Sequence, residues 1–362
     1  MQKKILLILH FPPPMHGAAK VGLMLKESAR FNSFFNTRYI NLGLSKSVKQ
    51  IGKNPILKII RYLLIIYRCL LCLIKFKPDI CYFTLNSKGL GFYKDIPIIS
   101  ILKIFNVKIT YHLHNKGVKE KSSRILDNIL YAYVFRNSFV ILLSEHLYSD
   151  IRKYVNVSQV YYCPNGIHKS TLKIHQDLES SKDFEILFLS NLIKSKGVFV
   201  LLEACRKLKE KNLKFNCKYV GGIGDISERE FNNKIKEFEL ISYVQYLGKL
   251  EGLEKDTILN GSDVLVLPSS NDCFPLVILE AMQFHLPVIS TIEGGIPDIV
   301  QDNKTGYLVE KGDVNALTEK IERLIKHPGL KQALGIAGYK RYKEKYTLKI
   351  FENRIIEILK DV

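Results

Sequence analysis

The stretch Asp263–Val300, DVLVLPSSNDCFPLVILEAMQFHLPVISTIEGGIPDIV, decides how the chain is read. It parses as strand, loop, helix, strand, Gly-Gly loop and helix. Val264–Leu267 is an apolar run of strand type, closed by Pro268 and the polar loop Ser269-Ser270-Asn271-Asp272. Pro275 stands at the expected first helical position, where its missing N–H costs nothing. The helix predicted over Leu276–Phe284 is apolar on nearly every side, which marks it for burial. Glu280 is the exception. A carboxylate inside such a helix is costly unless a polar group meets it. A salt bridge and a ligand hydroxyl answer that demand equally well.

Around this stretch, 362 residues with 47% hydrophobic content suffice for two domains, each with its own core. No solenoid period recurs. A formal net charge of +19 calls for something anionic: nucleic acid, a phosphorylated ligand or an acidic membrane surface. No zinc-finger spacing or RNP-like aromatic strand accompanies it, so nucleic acid is set aside. Seven scattered cysteines indicate a reducing compartment. Cys69 and Cys72, the close pair, lie in an apolar helical run and read as small core residues. Ile5–Leu9 is too short for a signal peptide and leads into Pro12-Pro13-Pro14.

Lys4–Leu9 has the pattern of a buried strand; a loop containing Gly17 and a helix from Ala18 follow. That succession predicts the opening of a doubly wound α/β domain, with Gly17 permitting close backbone approach or simply the turn. Ile56–Lys77 is long and apolar, but Lys58, Arg61, Arg68 and Lys75 form a cationic stripe on it. It reads first as a helix packed on a sheet and second as one lying in a membrane interface. Strands are predicted at Ile80–Thr84, Val107–Tyr111, Phe139–Leu143 and Val160–Tyr162. His112 and His114 follow the second of these, where open α/β sheets bind ligands. The strand period is read as turning them to opposite sides, so that at most one points at any site. Asn165-Gly166 is a tight turn.

Lys169–Asp183 is polar and reads as the interdomain linker. Strand and helix alternate again after it: strand Phe184–Leu189, the loop Ser190–Gly197 with Lys194 and Lys196, then an amphipathic helix. The two lysines oppose the helix macrodipole, which a bound polyanion would explain. Strand Phe215–Val220 leads into Gly221-Gly222, and strand Val244–Leu247 follows. The alternation predicts two Rossmann-like parallel-sheet domains facing a cleft, with glycine loops suited to holding phosphate on backbone N–H groups.

With these residues assembled, the chain resembles the retaining glycosyltransferases of family 4, of GT-B architecture, over essentially its whole length. DCFPLVILEAM is similar to the family's E-x7-E signature, and PVISTIEGGIPDIV to the strand and Gly-Gly loop after it. Lys194-Ser195-Lys196-Gly197 matches the lysine-glycine turn, Asn165-Gly166 the Asn-Gly turn, and Asp302–Val309 the usual sequel. The resemblance implies that Glu280 binds the ribose of a nucleotide sugar and that Lys196 contacts its diphosphate. It implies that a first-domain histidine contacts the donor sugar near the reacting carbon, and His114-Asn115 fits that role better than His112. Lys194, Asn191, Gly17, Asn165, Gly222 and the segment Phe274, Pro275 and Leu276 complete the expected donor site. Three positions depart from the pattern: Asp272 replaces the first signature glutamate, Asn191 replaces an arginine, and Gly17-Ala18-Ala19 replaces a double glycine.

The resemblance further implies sugar transfer to an acceptor hydroxyl with retention, without a metal or other cofactor. Domains are expected at 1–168, on the acceptor side, and 184–346, on the donor side, joined by 169–183. A last helix, about 347–362, is expected to pack back on the first domain. The charge and Ile56–Lys77 suggest a lipid-linked glycan acceptor, as in capsule or O-antigen synthesis. The expected location is cytoplasmic, peripheral on the inner face of the membrane at an anionic surface. Two alternatives stand beside this reading. A nucleotide-sugar epimerase would turn over donor without acceptor, and a non-catalytic GT-B partner would bind donor without transfer.

Overall fold

A computed structural model describes residues 2–13, 17–43, 55–172 and 183–362. The chain forms two compact units, Met1–Asn165 with Lys349–Val362, and Gly166–Leu348.

The first unit runs β1 (Lys4–Leu9), α1 (Gly17–Glu27), α2 (Ala29–Phe34), β2 (Asn36–Asn41), α3 (Pro55–Lys75), β3 (Ile80–Phe83) and α4 (Gly89–Ile104). It continues with β4 (Lys108–Leu113), α5 (Val118–Lys121), α6 (Ile125–Phe135), β5 (Ser138–Leu142), α7 (Tyr148–Ile151) and β6 (Val160–Tyr162). The six strands are parallel, in the order β2-β1-β3-β4-β5-β6. A parallel sheet is covered on both faces, so its inner strands are apolar throughout: Ile80–Phe83 is buried at every position. Edge strand β2, NTRYIN, buries chiefly Ile40 and alternates with polar residues, a weak signal that the sequence reading passed over. With the right-handed crossovers that parallel strands require, this order sets α3, α4 and α6 on one face of the sheet and α1 on the other.

The second unit runs β7 (Phe184–Leu189), α8 (Val198–Glu210), β8 (Phe215–Val220), α9 (Glu228–Glu237), β9 (Val244–Tyr246), α10 (Gly252–Asn260) and β10 (Val264–Leu267). Then come α11 (Leu276–Gln283), β11 (Val288–Thr291), α12 (Ile296–Ile299), β12 (Gly306–Val309), α13 (Val314–Lys326) and α14 (Pro328–Lys345). Its parallel order, β9-β8-β7-β10-β11-β12, is the 3-2-1-4-5-6 winding of a Rossmann-like sheet. The final helix, α15 (Leu348–Asp361), returns to the first unit. There Lys3 Nζ donates to Leu359 O at 3.2 Å and Arg30 Nε to Asn353 Oδ1 at 2.8 Å.

Several boundaries differ from the sequence reading. The chain changes unit between Asn165 and Gly166 rather than near residue 168. The start of the expected 169–183 linker belongs to the second unit, because Ser170 N donates to Gln283 Oε1 at 2.7 Å and Gln283 Nε2 to His168 O at 2.9 Å. Residues 173–182 lie outside those described. Pro275 is the N-cap, with φ −69° and ψ 115°, so α11 starts one residue later than expected.

Candidate functional site

In the second sheet the winding reverses between β7 and β10, and ligands of open α/β sheets bind outside the carboxyl ends at such a point. The loops there are Ser190–Gly197 and Pro268–Pro275. They are laced together: Ser270 N donates to Ser195 O at 2.7 Å, and Ser269 Oγ donates to the same oxygen at 3.1 Å. Gly197 has φ +82°, and a Cβ on it would lie 2.2 Å from Pro268 O. Only glycine fits both the left-handed turn and the contact.

Lys196 reaches across this crevice, and its Nζ lies 2.6 Å from Asp272 Oδ2. Their side chains retain 23% and 13% exposure, so the pair is shielded yet open to a ligand. The expected diphosphate contact and the shortened signature acid are therefore each other's partners. A third loop closes the site. Gly294, at φ +53°, sits with its Cβ position 2.1 Å from Asp272 O, and Gly295 N donates to Cys273 O at 2.7 Å. Glu293, buried, accepts from Asp272 N at 3.3 Å and pairs with Lys311 at 2.5 Å.

Glu280 is buried on α11, and Lys255 of α10 meets it at 2.9 Å. The salt bridge that the sequence left level with a ligand contact is present, and the ligand role is compatible with it. Phe274 is buried against Tyr346, with ring centroids 5.9 Å apart, just before the N-terminus of α11. Pro275 has no N–H, so Phe274 and Leu276 supply the backbone donors there.

Other predicted residues are placed differently. Asn191 Oδ1 accepts from Gly222 N at 2.9 Å, so these two tie the loops after β7 and β8 to each other. Lys194 points outward, 62% exposed, with Glu230 at 3.7 Å, while its backbone N–H donates to Asp225 at 2.7 Å. Gly17 opens α1 with no heavy atom within 4 Å of its Cβ position, so crowding does not demand glycine there. Asn165 is buried at the end of the first unit's main segment.

In the first unit the two histidines correct the sequence reading. Residues two apart on a strand share a face, and the His112 and His114 rings lie 4.2 Å apart, tilted by 40°. Depth separates them instead. His112 is fully buried and shares a short hydrogen bond with the Tyr82 hydroxyl through Nδ1. Burial, with His114 adding to it, pushes its pKa well below the usual histidine range, so the ring is neutral. His114 lies just past the strand end and is half-buried. Ser87 fixes the next residue: its N–H donates to Asn115 Oδ1 at 2.9 Å and its hydroxyl to Asn115 O at 2.8 Å.

The sequence reading assigned no role to Lys255, Glu293 or Lys311. Glu293 stood in the quoted stretch beside the Gly-Gly pair, a visible signal. The two lysines sit in ordinary polar segments and are identified only by their folded partners.

Comparison with known proteins matches residues 170–341 to the family described as glycosyl transferases group 1. The chain is 34% identical over 143 residues to the putative colanic acid biosynthesis glycosyltransferase WcaL of Escherichia coli, covering 38% of this chain and 35% of that protein. It is 29% identical over 183 residues to the capsular polysaccharide biosynthesis glycosyltransferase CapM of Staphylococcus aureus, covering 49% and 46%. The chain thus spans less than half the length of these two curated relatives. Among solved structures, Anabaena HepE in complex with UDP superposes over 100% of both chains, with a TM-score of 0.75 and 17% identity. Residues 170–341 accordingly match the glycosyl transferases group 1 family, on a chain whose two parallel sheets have the GT-B fold.

Proposed function

We propose that the chain is a retaining glycosyltransferase of family 4 that moves a sugar from a nucleotide-diphosphate donor to an acceptor hydroxyl. The observation carrying this reading is the cluster at the reversal point of the second sheet. There Lys196 and the N-terminus of α11 are available to a diphosphate, and Glu280 lies on the same helix. As the glycosidic bond breaks, negative charge gathers on the departing diphosphate. A lysine and prealigned N–H groups at Phe274 and Leu276 stabilise that charge without reorganising. Glu280 holds the ribose hydroxyls, with Lys255 orienting its carboxylate from 2.9 Å. His114 keeps the role the resemblance implies, contact with the donor sugar. The acceptor attacks on the face the leaving group vacates, which retains configuration and needs no protein nucleophile or metal.

The relatives named for colanic acid and capsule synthesis support a place in surface-polysaccharide assembly, with a lipid-linked glycan as acceptor. HepE crystallised with UDP makes uridine donors the first to try. A thermal-shift screen of nucleotide sugars tests the reading. A bound donor at about 100 times its Kd stabilises the fold by about 2.7 kcal/mol. One donor class should raise Tm, and Glu280→Ala should erase the shift. If no nucleotide sugar moves Tm, the proposal fails.

A further inference from the structure

On α3 the row Ile65, Cys69 and Leu73 is buried, and the opposite side carries Ile56, Ile60, Leu63, Tyr67 and Ile74, all exposed. A helix packed on a sheet ordinarily turns a polar face to solvent, so this pattern is inverted. The same inversion recurs on its neighbours. On α6, Asp127, Tyr131 and Phe135 face inward, while Leu126, Ile129 and Tyr133 are exposed. On α4, Leu90 and Ile104 are 87% and 75% exposed.

These helices form one layer. The Tyr62 hydroxyl donates to Lys94 O at 2.5 Å, joining α3 to α4. The Tyr93 hydroxyl donates to Asp127 at 2.5 Å and the Tyr133 hydroxyl to Ser100 Oγ at 3.1 Å, joining α4 to α6. In the second unit, by contrast, the large exposed apolar residues Ile223, Ile241, Leu253, Ile292 and Ile336 are scattered in sequence. Single exposed residues need no explanation, but a continuous apolar layer does.

The charges choose the occupant. Across α3, α4 and α6 the acidic residues, Asp95 and Asp127, are both buried. The exposed charges on α3, Arg68 and Lys75, and those that bound α6, Arg124 and Arg136, are cationic. A second copy of the chain would set these cations against one another, with no exposed acid on the three helices to meet them. A surface of anionic lipid headgroups over acyl chains matches both features. No described helix is long and apolar enough to cross a membrane.

We infer that the outer face of α3, α4 and α6 is an interfacial docking surface for an anionic lipid bilayer. Its use in catalysis rests on the lipid-linked acceptor reading above. The contact itself needs neither donor nor acceptor.

The test is co-sedimentation of the full chain with vesicles of phosphatidylglycerol and phosphatidylcholine carrying no glycan. Binding should be at least about tenfold weaker on phosphatidylcholine alone, and weaker again at high salt. Two variants separate the contributions. Leu63→Gln/Tyr67→Gln/Leu126→Gln/Ile129→Gln keeps every cation, and Arg68→Gln/Lys75→Gln/Arg124→Gln/Arg136→Gln keeps every apolar side chain. Each should bind about tenfold less with an unchanged Tm, because the altered side chains are exposed. Parent-like binding by either variant would overturn the proposal. So would a parent that ignores anionic vesicles but forms a dimer that the apolar variant loses, which would make the face a self-interface. Failure of the donor screen would leave the vesicle result untouched, so the two readings fail separately.

Discussion

Lys196 and Asp272 stand 2.6 Å apart, so on the proposed reading a diphosphate has to take the lysine from the aspartate. The exchange keeps the ammonium partnered throughout, and its cost is loss of the Lys196–Asp272 attraction. Both side chains retain some exposure, so that attraction is worth only about 1 kcal/mol. Asp272→Asn removes the competing charge at nearly constant shape. It should tighten binding of the matching nucleoside diphosphate about fivefold, measured by calorimetry. Lys196→Met should weaken it more than about tenfold, the loss of a charge-assisted bond to phosphate. Unchanged affinity in Asp272→Asn would mean that the pair opens without cost or that the diphosphate binds elsewhere. A glutamate at this position would reach further on its extra methylene. The short acid at 272 is thus read as a gate on Lys196 as much as a contact to sugar.

The loop that seats His114 depends on α4, one element away. Asp95 is fully buried on α4, and its Oδ2 accepts from Asn86 N at 3.0 Å and Asn86 Nδ2 at 2.8 Å. Ser87, next in line, holds Asn115, and Asn115 follows His114. Burial pushes the Asp95 pKa from 3.8 up to about 6, against the lowering effect of Lys94 and the Asn86 hydrogen bonds. The folded chain therefore binds this proton more tightly than the unfolded chain. Stability from this group is greatest below about pH 4, falls as pH rises through about 6, and is flat above. At neutral pH the ionised carboxylate costs about 3 kcal/mol. Asp95→Asn keeps an acceptor for Asn86 and removes the charge. It should stabilise the protein by about 1–2 kcal/mol at pH 8 and by about a third of that at pH 4.5, read from urea unfolding at both. A variant less stable at pH 8 would show that the charge is needed to hold the loop. None of this chain of contacts was visible in the sequence, although strands β3 and β4 were predicted in outline. Apolar runs such as Ile80–Phe83 declare a buried parallel strand by composition alone. Edge strand β2 and the polar helix α9 (EREFNNKIKE) went unread because they bury few side chains: Ile40 in one, Phe231 and Ile235 in the other. The pairs Lys196–Asp272 and Lys255–Glu280 join positions 76 and 25 residues apart, and no local period announces such a contact.

At the scale of the whole molecule, the two units are built unequally from the chain. Gly166–Leu348 is continuous, whereas the first unit is completed only by Lys349–Val362. That segment, within α15, buries Phe351, Ile355, Ile356, Ile358 and Leu359. At about 1.5–3 kcal/mol for each fully buried side chain, the helix supplies on the order of 10 kcal/mol. A domain's entire margin is only about 5–15 kcal/mol. The first unit should therefore be unable to hold its fold without the last residues of the chain, while the second carries its own core. Expressed alone, residues 166–348 should unfold cooperatively on heating. Residues 1–165 should lack a cooperative transition until a peptide of residues 349–362 is added, when near-UV circular dichroism should recover. A cooperative melt of 1–165 without the peptide would refute the argument. Assembly order follows from the same division: the first 165 residues leave the ribosome early yet cannot finish folding, and the continuous unit folds before them. The first 165 residues carry 25 Lys and Arg against 7 Asp and Glu, and this excess would keep the waiting segment soluble through self-repulsion, at some cost to compactness once it closes.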